Sequence, residues 1–230
     1  MITDPCSDRP GASRPQADCA AAFLASLASS ALRRAPFSHR LLSDAVPNDL
    51  RRSICALAIA APAIGETKGK RETHNSSRIF FSPVEQARWA ACRELAHSFQ
   101  EPTVTAAIAR RFDLALVGSF LRIEYCLDRD GFWLERHTDI GAKLFTLIVY
   151  LSDQPEGVDW GTDLYDRSGH HAGRAPAPPG AGLAFVPASD TWHGFERRPI
   201  IGLRRSLIIN YVVPDWRARH ELAFPDRPVR

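Results

Sequence analysis

The sequence has no run of ~18 uncharged apolar residues, so no segment reads as a membrane-spanning helix. It has no CxxC pair either. Its five cysteines, Cys6, Cys19, Cys55, Cys92 and Cys126, lie 13 to 37 positions apart. That spacing excludes a readable zinc ribbon or disulfide framework and fits reduced thiols in a cytoplasmic protein. Lysine is scarce: only Lys68, Lys70 and Lys143 occur among 29 basic residues. Arginine is the background cation of this chain, and any single Arg carries correspondingly little information. The basic residues are scattered and meet 26 acidic ones, for a net charge of +3. Without a basic stripe there is no footprint for nucleic acid. The N-terminus also lacks the basic start and apolar stretch of a signal peptide, because Asp4, Asp8 and Asp18 precede an Ala-rich run from Ala20 to Leu32.

What is present is an ordinary globular composition: 230 residues, 45% hydrophobic and 24% charged. Residues 1–17, rich in Pro, Gly, Ser and Asp, read as a loosely held arm, and 18–230 as a single domain. Its first part, 18–117, is expected to be helical. The sequence predicts an Ala-rich helix over 18–34 and a second from Asn48, with Leu50, Ile54, Leu57 and Ala58 at helical spacing. The almost wholly polar stretch 65–78 reads as a long exposed loop. Ser82-Pro83-Val84-Glu85 is a capping box with Pro at the first helical position, followed by Trp89, Cys92, Leu95 and Phe99 on one stripe. Pro102 opens a further helix to Arg111.

From Ser119 the apolar pattern changes to period two, the signature of strands. Strands are expected at Phe120–Leu127, Phe132–Thr138, Leu144–Leu151, Thr162–Asp166, Leu183–Val186 and Arg204–Val213. Helices first and then evenly spaced strands predict a mainly β fold with flanking helices, a jelly-roll over 118–213 packed by the N-terminal helices.

His137-Thr138-Asp139 puts two ligand-type side chains at i and i+2, on one face of an extended strand. With 8 histidines in the chain, such a match by itself is near chance. His193 follows 56 positions later, just past the strand Leu183–Val186. Two imidazoles and a carboxylate on one side of a metal form the facial triad of non-haem Fe(II), which leaves coordination positions open. Eleven residues beyond His193 comes Arg204-Arg205-Ser206-Leu207-Ile208-Ile209-Asn210. Alternation puts Arg204, Ser206, Ile208 and Asn210 on one face and Arg205, Leu207 and Ile209 on the other. An Arg beside a hydroxyl can grip a carboxylate bidentately; Arg204 shares its face with Ser206, and Arg205 is the alternative.

The order and spacing of these elements resemble the Fe(II)/2-oxoglutarate-dependent dioxygenases, specifically their prolyl-hydroxylase-like branch. The resemblance implies a double-stranded β-helix, a cupin-like form of jelly-roll. It further implies that His137, Asp139 and His193 bind iron and that Arg204 and Ser206 hold the distal carboxylate of 2-oxoglutarate, with Tyr150 beside them. The implied reaction consumes O₂ and 2-oxoglutarate, releases succinate and CO₂, and hydroxylates an unactivated C–H bond. Asp139 stands where halogenating relatives carry a small residue, so halogenation is not expected. A small molecule, such as an amino acid derivative or a biosynthetic intermediate, is the expected substrate, since no appended domain for gripping a macromolecule is visible. The alternatives are a prolyl-type hydroxylase of protein side chains and a jelly-roll that binds metal or ligand without turnover.

Around this centre, Trp133 and Glu135 alternate with His137 and are expected to face the substrate. Tyr125, Lys143 and Trp160 are further candidates for the pocket, Trp160 as a lid, and Arg78 for its mouth. Other motifs fail in context. Gly65 to Arg71 lacks the spacing and the Ser/Thr of a phosphate loop, Asn75-Ser76-Ser77 is a sequon without meaning in a cytoplasmic chain, and His170-His171 reads as a solvated turn. Nothing in the sequence bears on oligomeric state.

Overall fold

The computed structural model describes residues 18–60, 69–70, 78–139 and 141–230. The expected arm over 1–17 and most of the expected loop over 65–78 lie outside them. Helix α1 (Cys19–Ser29) is opened by Asp18, whose carboxylate accepts the Ala20 N–H at 2.9 Å. It ends before residue 34 because the hydroxyls of Ser29 and Ser30 donate back to the carbonyls of Ser26 and Leu27 at 3.0 and 2.7 Å, and Ser30 is extended. The chain then forms a two-residue strand β1 (Leu32–Arg33) against β2 (His39–Leu42). Helix α2 (Asn48–Cys55) begins where expected and buries Leu50 and Ile54, but stops short of Leu57 and Ala58.

After β3 (Arg78–Phe80), the single helix expected from Ser82 onward is two: α3 (Pro83–Arg88) and α4 (Ala90–Gln100). Trp89 between them is extended, with φ −126° and ψ 117°, and Ser82 makes no capping bond. Two anchors account for the break. Gln86 donates to the carbonyls of Phe81 and Ala223 at 2.8 and 2.7 Å, while Cys92, Leu95 and Phe99 of α4 pack fully buried in the main core. Helix α5 (Pro102–Phe112) has the expected Pro start and ends at Asp113 in the left-handed region, φ 53°.

The remaining strands are β4 (Phe120–Asp128), β5 (Leu134–His137), β6 (Lys143–Tyr150), β7 (Asp163–Tyr165), β8 (His171–Arg174), β9 (Gly182–Phe185), β10 (His193–Phe195) and β11 (Arg204–Val212). They form a seven-stranded sheet in the order β1-β2-β9-β6-β11-β4-β3 and a four-stranded sheet in the order β5-β10-β7-β8. All pairings are antiparallel. This is the jelly-roll that the period-two pattern predicts.

One face of the large sheet carries Ile123, Tyr125, Leu147, Val149, Leu207 and Ile209 into the main core, which it shares with the helices. The other face carries Arg122, Glu124, Thr146, Ile148, Ser206 and Asn210, set in cross-strand rows by the pairings of β4, β11 and β6. A polar face buried inside a jelly-roll must be satisfied by its own side chains or by something bound there.

Candidate functional site

Strands β5 and β10 bring the histidines together: His193 pairs directly with His137, and their ring centroids lie 4.4 Å apart. Each ring is oriented the same way. Nδ1 of His137 donates to the carbonyl of Glu135 at 2.9 Å, and Nδ1 of His193 to that of Thr191 at 2.8 Å. A carbonyl only accepts, so each Nδ1 carries the proton and each Nε2 keeps its lone pair. Burial pulls the His193 imidazole down to about 4, against the opposing pull of Asp139, and the ring is neutral at neutral pH.

The Asp139 carboxylate completes the group; the ligand atoms of His137, Asp139 and His193 all lie within 4.8 Å of one another. Its Oδ1 accepts from Lys143 Nζ at 2.6 Å and its Oδ2 from Thr146 Oγ1 at 2.9 Å. Thr146 is held in turn by Asn210 Nδ2 at 2.9 Å. The chain Asn210–Thr146–Asp139 runs across β11 and β6, and such partners fix the orientation of a ligand carboxylate. Two imidazole nitrogens and one carboxylate with open space beside them suit Fe(II), so this donor set fits the metal.

A narrow cavity of about 50 Å³ leads inward from this group to Arg204 and Ser206 at its far end. Arg204 is opposite Asp128 in the pairing of β11 with β4. Its Nη1 donates to Asp128 Oδ2 at 2.5 Å and its Nε to the carbonyl of Trp160 at 2.8 Å, and its guanidinium lies over the Phe195 ring, 4.4 Å from the centroid. Arg205 is on the other face, where its side chain meets Tyr125. Of the two arginines, Arg204 alone lines the cavity.

No family model matches the sequence, and comparison with curated proteins finds no match. Solved structures do match. A prolyl-4-hydroxylase from Pseudomonas putida superposes with a TM-score of 0.53 at 17% identity, over 89% of this chain and 99% of its own. The viral collagen prolyl hydroxylase of Paramecium Bursaria Chlorella virus-1, in its 2-oxoglutarate complex, gives 0.54 at 15% identity, over 76% and 96%. The non-haem α-ketoglutarate-dependent epimerase SnoN from nogalamycin biosynthesis gives 0.50 at 15% identity, over 84% and 83%. This chain has the prolyl-hydroxylase fold. At these identities the likeness extends to architecture, and the chemistry must be argued from the side chains.

Within this fold several expected pocket residues move. A register shift between Phe195 and His193, opposite Leu134 and His137, interrupts the alternation of β5. Phe132 and Leu134 therefore line the cavity with His137, whereas Trp133 stands outside, packed over Gly69 and under Arg197. Glu135 is exposed and lines an outer chamber of about 390 Å³ with Lys70, Lys143 and Trp216. Tyr125 is not at the site at all; its face of β4 belongs to the main core. Trp160 is no lid. Its ring is buried with Phe132, Phe195 and Ile200, and its indole N–H donates to the carbonyl of Pro199 at 3.1 Å. Tyr150 is on the cavity face of β6, but its hydroxyl donates to Thr162 Oγ1 at 2.8 Å and accepts the Thr162 N–H, and Thr162 is the residue that lines the cavity.

Lys143 is buried and lines both the inner cavity and the outer chamber, and Arg78 lies in the inner cavity rather than at its mouth. The sequence singles out neither Asp128 nor Thr146, and it places Asn210 on the right face without giving it a role. A signal existed for β4: Arg122, Glu124 and Asp128 recur at even spacing within an otherwise apolar strand, which marks a charged interior face. His171 opens β8 instead of lying in a turn, and a second cluster, Asp163, His171 and Glu196, forms there. Asp163 is already engaged by Arg174, Arg198 and the Glu196 N–H. That cluster is a structural ion network.

Proposed function

We propose that this chain is an Fe(II)- and 2-oxoglutarate-dependent oxygenase that hydroxylates an unactivated C–H bond of a small molecule, releasing succinate and CO₂. The observation that carries the reading is the paired His137 and His193 beside Asp139, at one end of a cavity whose other end holds Arg204 and Ser206. Fe(II), 2-oxoglutarate and O₂ would together supply the oxidation that converts C–H to C–OH. His137 and His193 hold the metal through Nε2, their tautomers set by the carbonyls of Glu135 and Thr191. Asp139 is the anionic ligand, aimed by Thr146. Arg204 and Ser206 take the distal carboxylate of the co-substrate, and Asp128 and the carbonyl of Trp160 keep the guanidinium in place. Tyr150 orients Thr162 at the cavity wall.

The outer chamber, bordered by Glu135, Lys143, Lys70 and Trp216, would receive the substrate; its volume suits a small molecule. Trp133, Tyr125 and Trp160 have no part in that chamber. The likeness to prolyl hydroxylases favours a peptide substrate as the second reading. Residues 18–230 act as one catalytic unit, and the free thiols of Cys19, Cys55, Cys92 and Cys126 support a reducing, cytoplasmic setting.

The test is an anaerobic titration of the protein with Fe(II) and 2-oxoglutarate, followed through the weak visible charge-transfer band of a chelated 2-oxo acid. The expected result is a band in the wild type that requires at least ~10-fold more 2-oxoglutarate in Arg204→Ala, the loss of one charge-assisted contact. Confirmed iron binding without the band would overturn the reading.

A further inference from the structure

We infer that Arg78 is a second clamp for the distal carboxylate of the co-substrate, acting beside Arg204; this rests on the oxygenase reading above. The difficulty at the far end of the cavity is Asp128. It is fully buried, bonded to Arg204, and lines the same cavity, so it cancels the charge that Arg204 would offer a dianionic ligand. Its Oδ1 has no hydrogen-bond partner and remains a buried acceptor in the wall. A carboxylate arriving there needs a further donor.

Arg78 supplies one from a separate strand. It pairs with Cys126 on β4, which pairs with Ser206 on β11, which pairs with Tyr150 on β6. These four residues form one cross-strand row on the cavity face, with Arg78 at its outer end. The Arg78 side chain is 4% exposed and lines the cavity together with Ser206 and Arg204. Its Nη1 donates to Glu124 Oε2 at 2.5 Å, while Glu124 Oε1 is taken by Arg122 and Arg122 Nε by Glu221 at 2.5 Å. Charges thus alternate along Glu221–Arg122–Glu124–Arg78. Glu124 is not among the lining residues, so what this ion chain presents to the cavity is its positive end. The Arg78 Nε has no hydrogen-bond partner. An unsatisfied buried N–H is costly, and a small shift of the Arg78 side chain toward a carboxylate at Ser206 would satisfy it.

The test compares two 2-oxo acids that share a chelating head, 2-oxoglutarate and pyruvate, of which only the first has a distal carboxylate. Both are titrated calorimetrically into the Fe(II)-loaded protein without O₂, for wild type, Arg78→Gln and Arg78→Lys. Arg78→Lys retains a cation for Glu124 but has no Nε, and thermal melting of each variant reports its folding. The expected result is a loss of at least ~10-fold in 2-oxoglutarate affinity in both variants, with pyruvate affinity unchanged. Equal losses for both acids, or no loss for 2-oxoglutarate, would overturn the inference while leaving the oxygenase reading intact. Failure of the wild type to bind 2-oxoglutarate would overturn the oxygenase reading and this inference with it. If Arg78→Gln does not fold, Arg78→Lys decides.

Discussion

Asp139 has two kinds of partner, and they pull in different directions. Thr146 donates to one oxygen and, backed by Asn210, only orients it. Lys143 places a buried ammonium 2.6 Å from the other, where a divalent cation would have to compete with it. Asp139→Ala should therefore abolish product mainly by losing metal, because a methyl replaces the anionic ligand. Lys143→Met should do the opposite to metal affinity and tighten it about tenfold, the equivalent of one charge-assisted hydrogen bond. Equilibrium titration with Fe(II) or Mn(II) measures both. Unchanged metal affinity in Asp139→Ala would remove Asp139 from the ligand set. Unaltered affinity in Lys143→Met would show that the ammonium does not compete.

The two short strands β5 and β10 carry more of the site than their length suggests. Their pairing alone puts His137 against His193, and Gly194 lies at the register shift itself, between His193 and Phe195. A Cβ on Gly194 would stand 2.8 Å from the Leu134 carbonyl oxygen and 3.2 Å from Arg136 Cα, so β5 would have to move away. Gly194→Ala should cost about 1–3 kcal/mol through overpacking. It should also weaken metal binding, although no ligand is changed. A lower melting temperature with metal affinity retained would mean that the strand pairing does not set the spacing of the histidines. Such strands are hard to read in sequence. β1, β3 and β10 have two or three residues each, too few for an alternation to show above chance. The helices were easier to read, though the break at Trp89 depends on Gln86 reaching the carbonyl of Ala223, a contact 137 positions away in the chain.

The small sheet is joined to its surroundings by ions as well as by apolar contacts. Asp163, fully buried, is bonded to Arg174 of β8, to Arg198 beyond β10 and to the Glu196 N–H. Burial by itself would raise its carboxyl; the Glu196 N–H and the two arginines outweigh that and hold it below the ordinary carboxylate value. A carboxylate whose folded value is depressed contributes stability that is complete above the unfolded value and disappears as pH falls through the folded one. Asp163→Asn should cost about 1–3 kcal/mol at neutral pH, because a neutral amide replaces the buried carboxylate that accepts from Arg174, Arg198 and the Glu196 N–H. The gap in melting temperature between the two proteins should narrow below pH ~4 as the wild-type carboxyl takes up its proton. A gap that stays constant from pH 7 to pH 3 would show that Asp163 is not held by its charge.

The sequence by itself determined the residue classes and their local geometry. Period-two alternation put Arg204, Ser206 and Asn210 on one face of β11, and the His137-x-Asp139 spacing put two ligands on one side of the chain. These are properties of the backbone over a few residues, and they survived folding. Only the tertiary structure decided which strands meet, and with them the interruption in β5 that excludes Trp133 in favour of Phe132 and Leu134. It also decided that Asp128 meets Arg204, that Lys143 meets Asp139 and that Arg78 enters the cavity. The reason is physical: a strand's side-chain pattern is local, whereas register and ion pairing are set by hydrogen bonds between segments distant in the chain.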